Sequence, residues 1–298
     1  MTELTRQQQE FFWQNGYLVV ENAVSPELLS ELQSVFQGWV EESRQHDVNW
    51  GETINGKPRF DLEPGHSVTA PRLRRVNAPV EVSPAYFKAM AESPMTDFVS
   101  ALIGPDVKLH HTKINSKQPG GETIVKWHQD FPFTPHSNDS VVTALLMIDE
   151  VTEDNGPLEV LPGSHTGAIH GLWHEGEFTG AIDDETAAEC ASEAVVCTGS
   201  AGSACLMHTR LLHGSAANRS MEPRTLFISV YSAGDAVPVS PNPMPNRYEG
   251  LIVRGRKTGR VRSIDFEMDL PELPATASFF DQQAKHNESD SPTDPASS

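Results

Sequence analysis

Two periodicities divide this chain. Before about residue 104, apolar positions recur at helical spacing; after it, they come in short runs broken by turn signals. Thr5 can cap a short helix carrying Phe11, Phe12 and Trp13, and Gly16 ends it. Tyr17 to Val20 reads as a short strand. Ser25-Pro26 opens a stronger helix, since serine suits the N-cap and proline the first turn. Leu28, Leu29, Leu32, Val35, Phe36, Trp39 and Val40 then follow on one face as a packing stripe. From about His46 to Arg75 the chain is polar and rich in Gly and Pro, which predicts a long loop of the lid or binding kind. Two further helices are predicted, one from Ser83-Pro84 and one across 92–104, the second stopped by Gly104.

Beyond that point the β-like runs are 107–115, 123–128, 141–148, 158–161, 194–198, 204–207 and 225–231. QPGG, EDNGP and PGSH separate some of them. Many short strands with turn-rich spacers predict a sandwich or jelly roll. Residues 170–193 form an excursion with an acidic helical part, DDETAAECASE. From about Gln282 the composition is polar and rich in Ser, Asp and Pro, and predicts a disordered tail. The expected organisation is one domain over 1–281, with N-terminal helices at about 5–104, a jelly-roll core at about 105–270, and the tail at 282–298.

Charge narrows the partners. A net −19 and a pI near 4.9 give a surface that repels nucleic acid and anionic membrane. Two basic clusters run against that field: Arg72, Arg74 and Arg75, and the stretch RGRKTGRVR from Arg254 to Arg262. Either can be a solvated face, and both are places to look for an anionic substrate group. Cys190, Cys197 and Cys205 are odd in number and form no CxxC pair, so no disulfide framework or zinc ribbon is expected. With no signal-peptide pattern, no transmembrane run and no terminal address, the expected setting is cytoplasmic.

Candidate chemistry concentrates in WHQDFPFTPHSND, Trp127 to Asp139. On a strand, residues i and i+2 share a face. His128 and Asp130 can therefore aim at one point while Gln129 aims away. A histidine and a carboxylate are two-thirds of the facial triad that holds Fe(II) with positions left open. Alone, an HxD triplet is more often a surface turn. A third donor, His213, lies 85 positions downstream at a strand end, and Arg224 follows it by eleven. Arg224 shares its face with Leu226 and Ile228, so if buried it requires an anionic partner. Its planar fork suits a carboxylate. An exposed strand-edge arginine is the competing reading; Arg219, in the polar NRS loop, is expected to face solvent.

HxD, a distal histidine within HGS and an arginine eleven residues later resemble the Fe(II)/2-oxoglutarate oxygenases of the phytanoyl-CoA dioxygenase family, which includes ectoine hydroxylase. FFWQNGYLVV, KINSK and DNGPLEVLPGSH strengthen the resemblance, which covers Gln8 to Ala233. It implies a mainly β fold, a double-stranded β-helix (a cupin-like jelly roll) with flanking N-terminal α-helices. It further implies that His128, Asp130 and His213 are the metal ligands and that Arg224 pairs with the far carboxylate of 2-oxoglutarate, assisted by Ser215. Asn115 and Thr143 fall at further cosubstrate positions and Lys113 at a substrate position. The carboxylate of Asp130 favours hydroxylation over halogenation.

The expected cofactors are Fe(II), 2-oxoglutarate and O2, with ascorbate supportive in vitro. The partner is a small or medium organic substrate, hydroxylated at an unactivated C–H bond with succinate and CO2 as co-products. Phe131, Phe133, His136 and Trp173 are further substrate-contact candidates, although aromatics at a strand end are more often plain core. Two alternatives stand beside this reading: a catalytically silent jelly-roll binding protein, and a metal-dependent hydrolase or isomerase using the same three ligands. The intact His128, Asp130, His213 and Arg224 weigh against the first. Arg224 at that spacing weighs against the second. Substrate identity and oligomeric state leave no mark in the sequence.

Overall fold

The computed structural model describes residues 3–272 together with Gln283. Helix α1 (Arg6–Asn15) begins at a reciprocal cap: Thr5 Oγ1 accepts from the Gln8 amide at 3.2 Å while Gln8 Oε1 accepts from the Thr5 amide at 2.9 Å. Gly16 closes it at φ 82°, a left-handed angle that suits glycine. Strand β1 (Tyr17–Val20) follows, then α2 (Pro26–Ser43), capped by Ser25 and burying Leu28, Leu32, Phe36 and Val40. Next come β2 (Phe60–Leu62) and β3 (Leu73–Asn77), both inside the stretch expected to be loop. Helices α3 (Pro84–Glu92) and α4 (Pro94–Ile103) complete the N-terminal part.

The remaining strands are β4 (Val107–Lys117), β5 (Val125–His128), β6 (Val141–Met147), β7 (Leu158–Val160), the small hairpin β8 (Trp173–His174) and β9 (Glu177–Phe178), β10 (Val195–Cys197), β11 (Ala204–His208), β12 (His213–Ser215), β13 (Arg224–Ala233) and β14 (Ile252–Arg254). Helix α5 (Asp184–Glu193) is the acidic helix expected in the excursion. The strands pair antiparallel into a large sheet, β1-β11-β6-β13-β4-β3-β2 with β14 beside β4, and a four-stranded sheet, β10-β7-β12-β5. This is the mainly β, jelly-roll arrangement.

The large sheet works on both faces. Along β6, Val142, Ala144 and Leu146 pack with the apolar sides of α1 to α4 in one core, while Leu145 and Met147 join a second core between the sheets. On β13, Phe227 and Tyr231 belong to the helix side and Leu226 and Ile228 to the inter-sheet side. Opposite Val230 and Tyr231 the register shifts by the extra residue His110 on β4, so that Leu109 and Ile114, five apart, both face the helix side. The space between the sheets is where the polar site sits.

Several expectations need correction. Residues 46–75 carry two strands, because the buried ion pair of Arg74 with Asp61 stands in for apolar packing at β3 and β2. Strands β12 and β14, three residues each, were not expected. The tail at 282–298 lies outside the described residues except for Gln283, which is buried, accepting from the Lys126 amide and donating to the Gly180 carbonyl. Cys190, Cys197 and Cys205 are free and buried. Among the described residues no helix is long and apolar enough to cross a membrane.

Candidate metal centre and its two pockets

The four-stranded sheet brings distant sequence together. β12 lies antiparallel to β5 with His213 directly opposite His128. The two rings sit 4.2 Å apart, centroid to centroid, at 48°. Asp130 is not on the strand, contrary to the period-two expectation. β5 ends at His128, and Asp130 is helical (φ −72°, ψ −29°) as it opens the short turn Phe131–Phe133. That turn still aims its carboxylate at the two imidazoles. Asp130 Oδ1 is 3.6 Å from His128 Nε2 and 3.8 Å from His213 Nε2, and one donor atom from each residue lies within 4.8 Å of the others.

The nitrogens are prepared in the same way. His128 Nδ1 lies 2.8 Å from the Lys126 carbonyl and His213 Nδ1 2.9 Å from the Leu211 carbonyl, each two residues back. A carbonyl only accepts, so Nδ1 carries the hydrogen and the Nε2 lone pairs are left facing Asp130. Burial, then the charge of His128, pushes His213 down to about 4, so its imidazole is neutral at physiological pH. Burial alone would raise the Asp130 carboxyl; the neighbouring His213, His128 and Lys113 outweigh it and hold the group well below the usual carboxylate range. Thr143 donates to its other oxygen, Oδ2, at 2.7 Å. Two imidazole nitrogens and an ionised, oriented carboxylate are a donor set that fits Fe(II).

Two pockets meet at this point, and Arg75, Lys113, His128 and Asp130 line both. The inner pocket runs between the sheets to Arg224, Lys117 and Ser215. Arg224 and Lys117 are direct partners across β13 and β4. Arg224 gives Nε and Nη2 to the Gly156 carbonyl at 2.8 and 2.6 Å, and among the described residues it has no ion pair. Lys117 gives Nζ to Ser215 Oγ at 2.7 Å and to the Ala216 carbonyl. Burial, then Arg224, pushes Lys117 down to about 6, and burial pushes Arg224 down to about 10. A buried guanidinium beside a buried amine that a carboxylate would protonate, both held by neutral oxygens, form a site for an anion. The metal ligands at one end and these cations at the other fit a 2-oxo acid with a second carboxylate.

The outer pocket is lined by residues 53, 55 and 57 of the long polar stretch, by Asn77 and His111, and by Phe133, Val230 and Met244. Of the residues expected to matter, Phe133 is there, edge-on to His128. Phe131 is fully buried against Phe266 instead. His136 is buried behind His110, its Nδ1 on the Thr134 carbonyl. Trp173 is partly exposed on the β8–β9 hairpin and donates to the Leu270 carbonyl. None of these three lines either pocket. Asn115 lines the inner pocket and accepts from Arg75 Nε at 3.1 Å. Thr143 also lines it, with its hydroxyl spent on Asp130.

Gln129 points away from the centre as expected. It is no mere spacer: it donates to the Ala168 and Arg210 carbonyls and accepts from the His170 amide, pinning the excursion to the site. The basic clusters divide. Arg75 enters both pockets, Arg74 pairs with buried Asp61, and Arg254 bonds Asp97 and the carbonyls of Ala91 and Ser93. Lys117, Lys57 and Asn77 were not among the expected site residues, whereas Arg75 belongs to a cluster marked as a place for an anionic group. A signal existed for the first: Lys113, Asn115 and Lys117 alternate, so period two puts all three on the face that carries the site.

Residues 12–226 match the model of the phytanoyl-CoA dioxygenase (PhyH) family. The chain belongs to that family. It is therefore an iron- and 2-oxoglutarate-dependent dioxygenase. A relative from Stutzerimonas stutzeri, described as a "probable alpha-ketoglutarate-dependent hypophosphite dioxygenase", is 31% identical over 89% of this chain and 91% of its own. The L-proline trans-4-hydroxylase of Streptomyces griseoviridis is 25% identical over 77% of this chain and 87% of its own. The crystal structure of EctD from S. alaskensis with 2-oxoglutarate and 5-hydroxyectoine superposes with a TM-score of 0.63 at 24% identity, covering 90% of this chain and 88% of that one. It shows the same fold.

Proposed function

We propose that His128, Asp130 and His213 hold Fe(II), that 2-oxoglutarate occupies the inner pocket with its far carboxylate against Arg224 and Lys117, and that a small molecule in the outer pocket is hydroxylated. The balance is R–H + O2 + 2-oxoglutarate → R–OH + succinate + CO2. The observation that carries this reading is the Arg224 guanidinium and Lys117 amine buried at the far end of a pocket that begins at a two-histidine, one-carboxylate cluster. The hydrolase and isomerase readings give no reason for a dicarboxylate-length pocket leading inward from the metal ligands. When bound, the metal supplies open coordination positions for the 2-oxo acid and O2 and the redox chemistry of the oxidation.

The chain's own residues bind, orient and exclude water. The Lys126 and Leu211 carbonyls fix the imidazole tautomers, and Thr143 fixes the carboxylate. Arg224, Lys117 and Ser215 set the depth to which the cosubstrate slides. Leu145, Leu158, Leu226 and Ile228 keep its middle dry. We read the N-terminal helices and both sheets as one catalytic domain, since residues 53–57 and β3 wall the outer pocket.

The test is succinate release from 2-oxoglutarate with Fe(II) and ascorbate. Wild type releases succinate and binds 2-oxoglutarate; Asp130→Ala and His213→Ala abolish the iron-dependent release; Arg224→Ala mainly weakens 2-oxoglutarate binding. No turnover with any compound, together with no 2-oxoglutarate binding, overturns the proposal.

A further inference from the structure

The outer pocket does not share the character of the surface around it. The chain carries −19 overall, yet Lys57, Arg75 and Lys113 line this pocket, and among the described residues lining it Asp130 is the only carboxylate. Backbone pairing builds the cluster: β3 lies on β4 with Asn77 opposite Lys113 and Arg75 opposite Asn115. These four polar side chains are fixed by strand register and are not surface lysines that happen to lean inward.

Lys113 is the informative member. It is partly buried, and among the described residues its ammonium has neither a hydrogen bond nor an ion pair. Burial pushes it down to about 8, with Asp130 pulling it up and Arg75 pushing it down further. Cations crowded in a partly desolvated pocket cost free energy that an anion between them would recover. Beside them the buried Asn77 Oδ1 has no hydrogen-bond partner. That orphan acceptor suits a ligand which also offers a hydroxyl or amine hydrogen. Arg224 and Lys117 at the far end of the inner pocket answer the cosubstrate's far carboxylate, and Lys57 and Asn77 line the outer pocket but not the inner one, so a cosubstrate in the inner pocket does not account for the whole cluster. Phe133, Val230 and Met244 supply an apolar wall.

Resting on the dioxygenase site proposed above, we infer that the substrate is a small oxyanion, or a small molecule ending in one. Its anionic oxygens sit between Lys113 and Arg75 and its hydrogen-bearing atom is turned toward His128 and Asp130. Phosphorus oxyanions, sulfonates and carboxylates share the required chemistry. A relative 31% identical to this chain bears the name of one of them, hypophosphite.

The experiment uses the full chain loaded with Fe(II). Without oxygen, the visible charge-transfer band of a metal-chelated 2-oxo acid reports on the cosubstrate site alone. With oxygen, succinate release and product are followed with hypophosphite, phosphite, methylphosphonate, methanesulfonate and small carboxylates. Neutral and cationic compounds of equal size are run beside them. An oxyanion gives stoichiometric coupled turnover, and the arm that responds identifies the phosphorus, sulfur or carboxylate source. Lys113→Met, folded and still giving the band, raises KM for that anion about tenfold or more, and Lys113→Arg restores it to within a few-fold. Coupling by neutral or cationic compounds only, or a Lys113→Met KM within twofold of wild type, overturns the inference. A wild type that lacks the band overturns the dioxygenase site itself, and the inference with it.

Discussion

Raising the pH weakens 2-oxoglutarate binding through Lys117. In the ligand-free protein, burial and Arg224 hold this group at about 6, so at pH 8 only about 1% of it is ammonium. A carboxylate brought against it favours the charged form and raises that value. The sign follows from linkage: binding takes up a proton, so affinity is full below about pH 6 and falls tenfold per unit above it until the bound-state value is reached. Between pH 6.5 and 8.5 the apparent Kd therefore rises about 80-fold. The cosubstrate's carboxylates do not titrate in this range, His213, down at about 4, is already neutral, and Lys113, at about 8 in the same pocket, loses charge only toward its upper end and in the same direction. Anaerobic calorimetry with Fe(II), run in two buffers of different ionisation heat, reads the protons directly. The expected result is close to one proton taken up per 2-oxoglutarate at pH 8, and a flattened pH profile in Lys117→Met. A pH-independent Kd with no proton uptake refutes the reasoning.

Thr143→Val removes the hydroxyl that donates to Asp130 Oδ2 at 2.7 Å, and Fe(II) titration then shows affinity about 10–100-fold lower. Asp61→Asn removes the carboxylate from its ion pair with Arg74, whose side chains are 7% (Arg74) and 0% (Asp61) exposed. Denaturant unfolding then shows a loss of about 3–5 kcal/mol, and a loss below about 1 kcal/mol would mean that solvent relieves the pair.

The helices, most of the strands and the three converging side chains were legible because periodicity and caps are local signals. Ser25-Pro26 announces α2, and the near-continuous apolar runs of β6 and β13 announce a sheet with two covered faces. What escaped depends on pairing between distant segments. β3 is LRRVN, and two arginines disguise a strand whose five residues are all buried. Asp61 on β2, its ion-pair partner, accounts for a charged Arg74 there. β12 has three residues and no periodicity to read. Asp130 was expected in the right place for the wrong local reason, since a helical turn presents it and not a strand. Lys57 and Asn77 could not be placed, because the wall of the outer pocket exists only once β3 has docked on β4.

The pairing of His213 with His128 ties assembly of the centre to strand alignment. Side chains alternate faces along a strand, so a slip of one residue between β12 and β5 would turn one imidazole to the outer face. The slipped sheet would keep most of its hydrogen bonds and its outline while losing the metal. Bound iron opposes that error, since it stabilises only the aligned register. In this sheet the ion acts as a proofreader of the fold as well as a reagent.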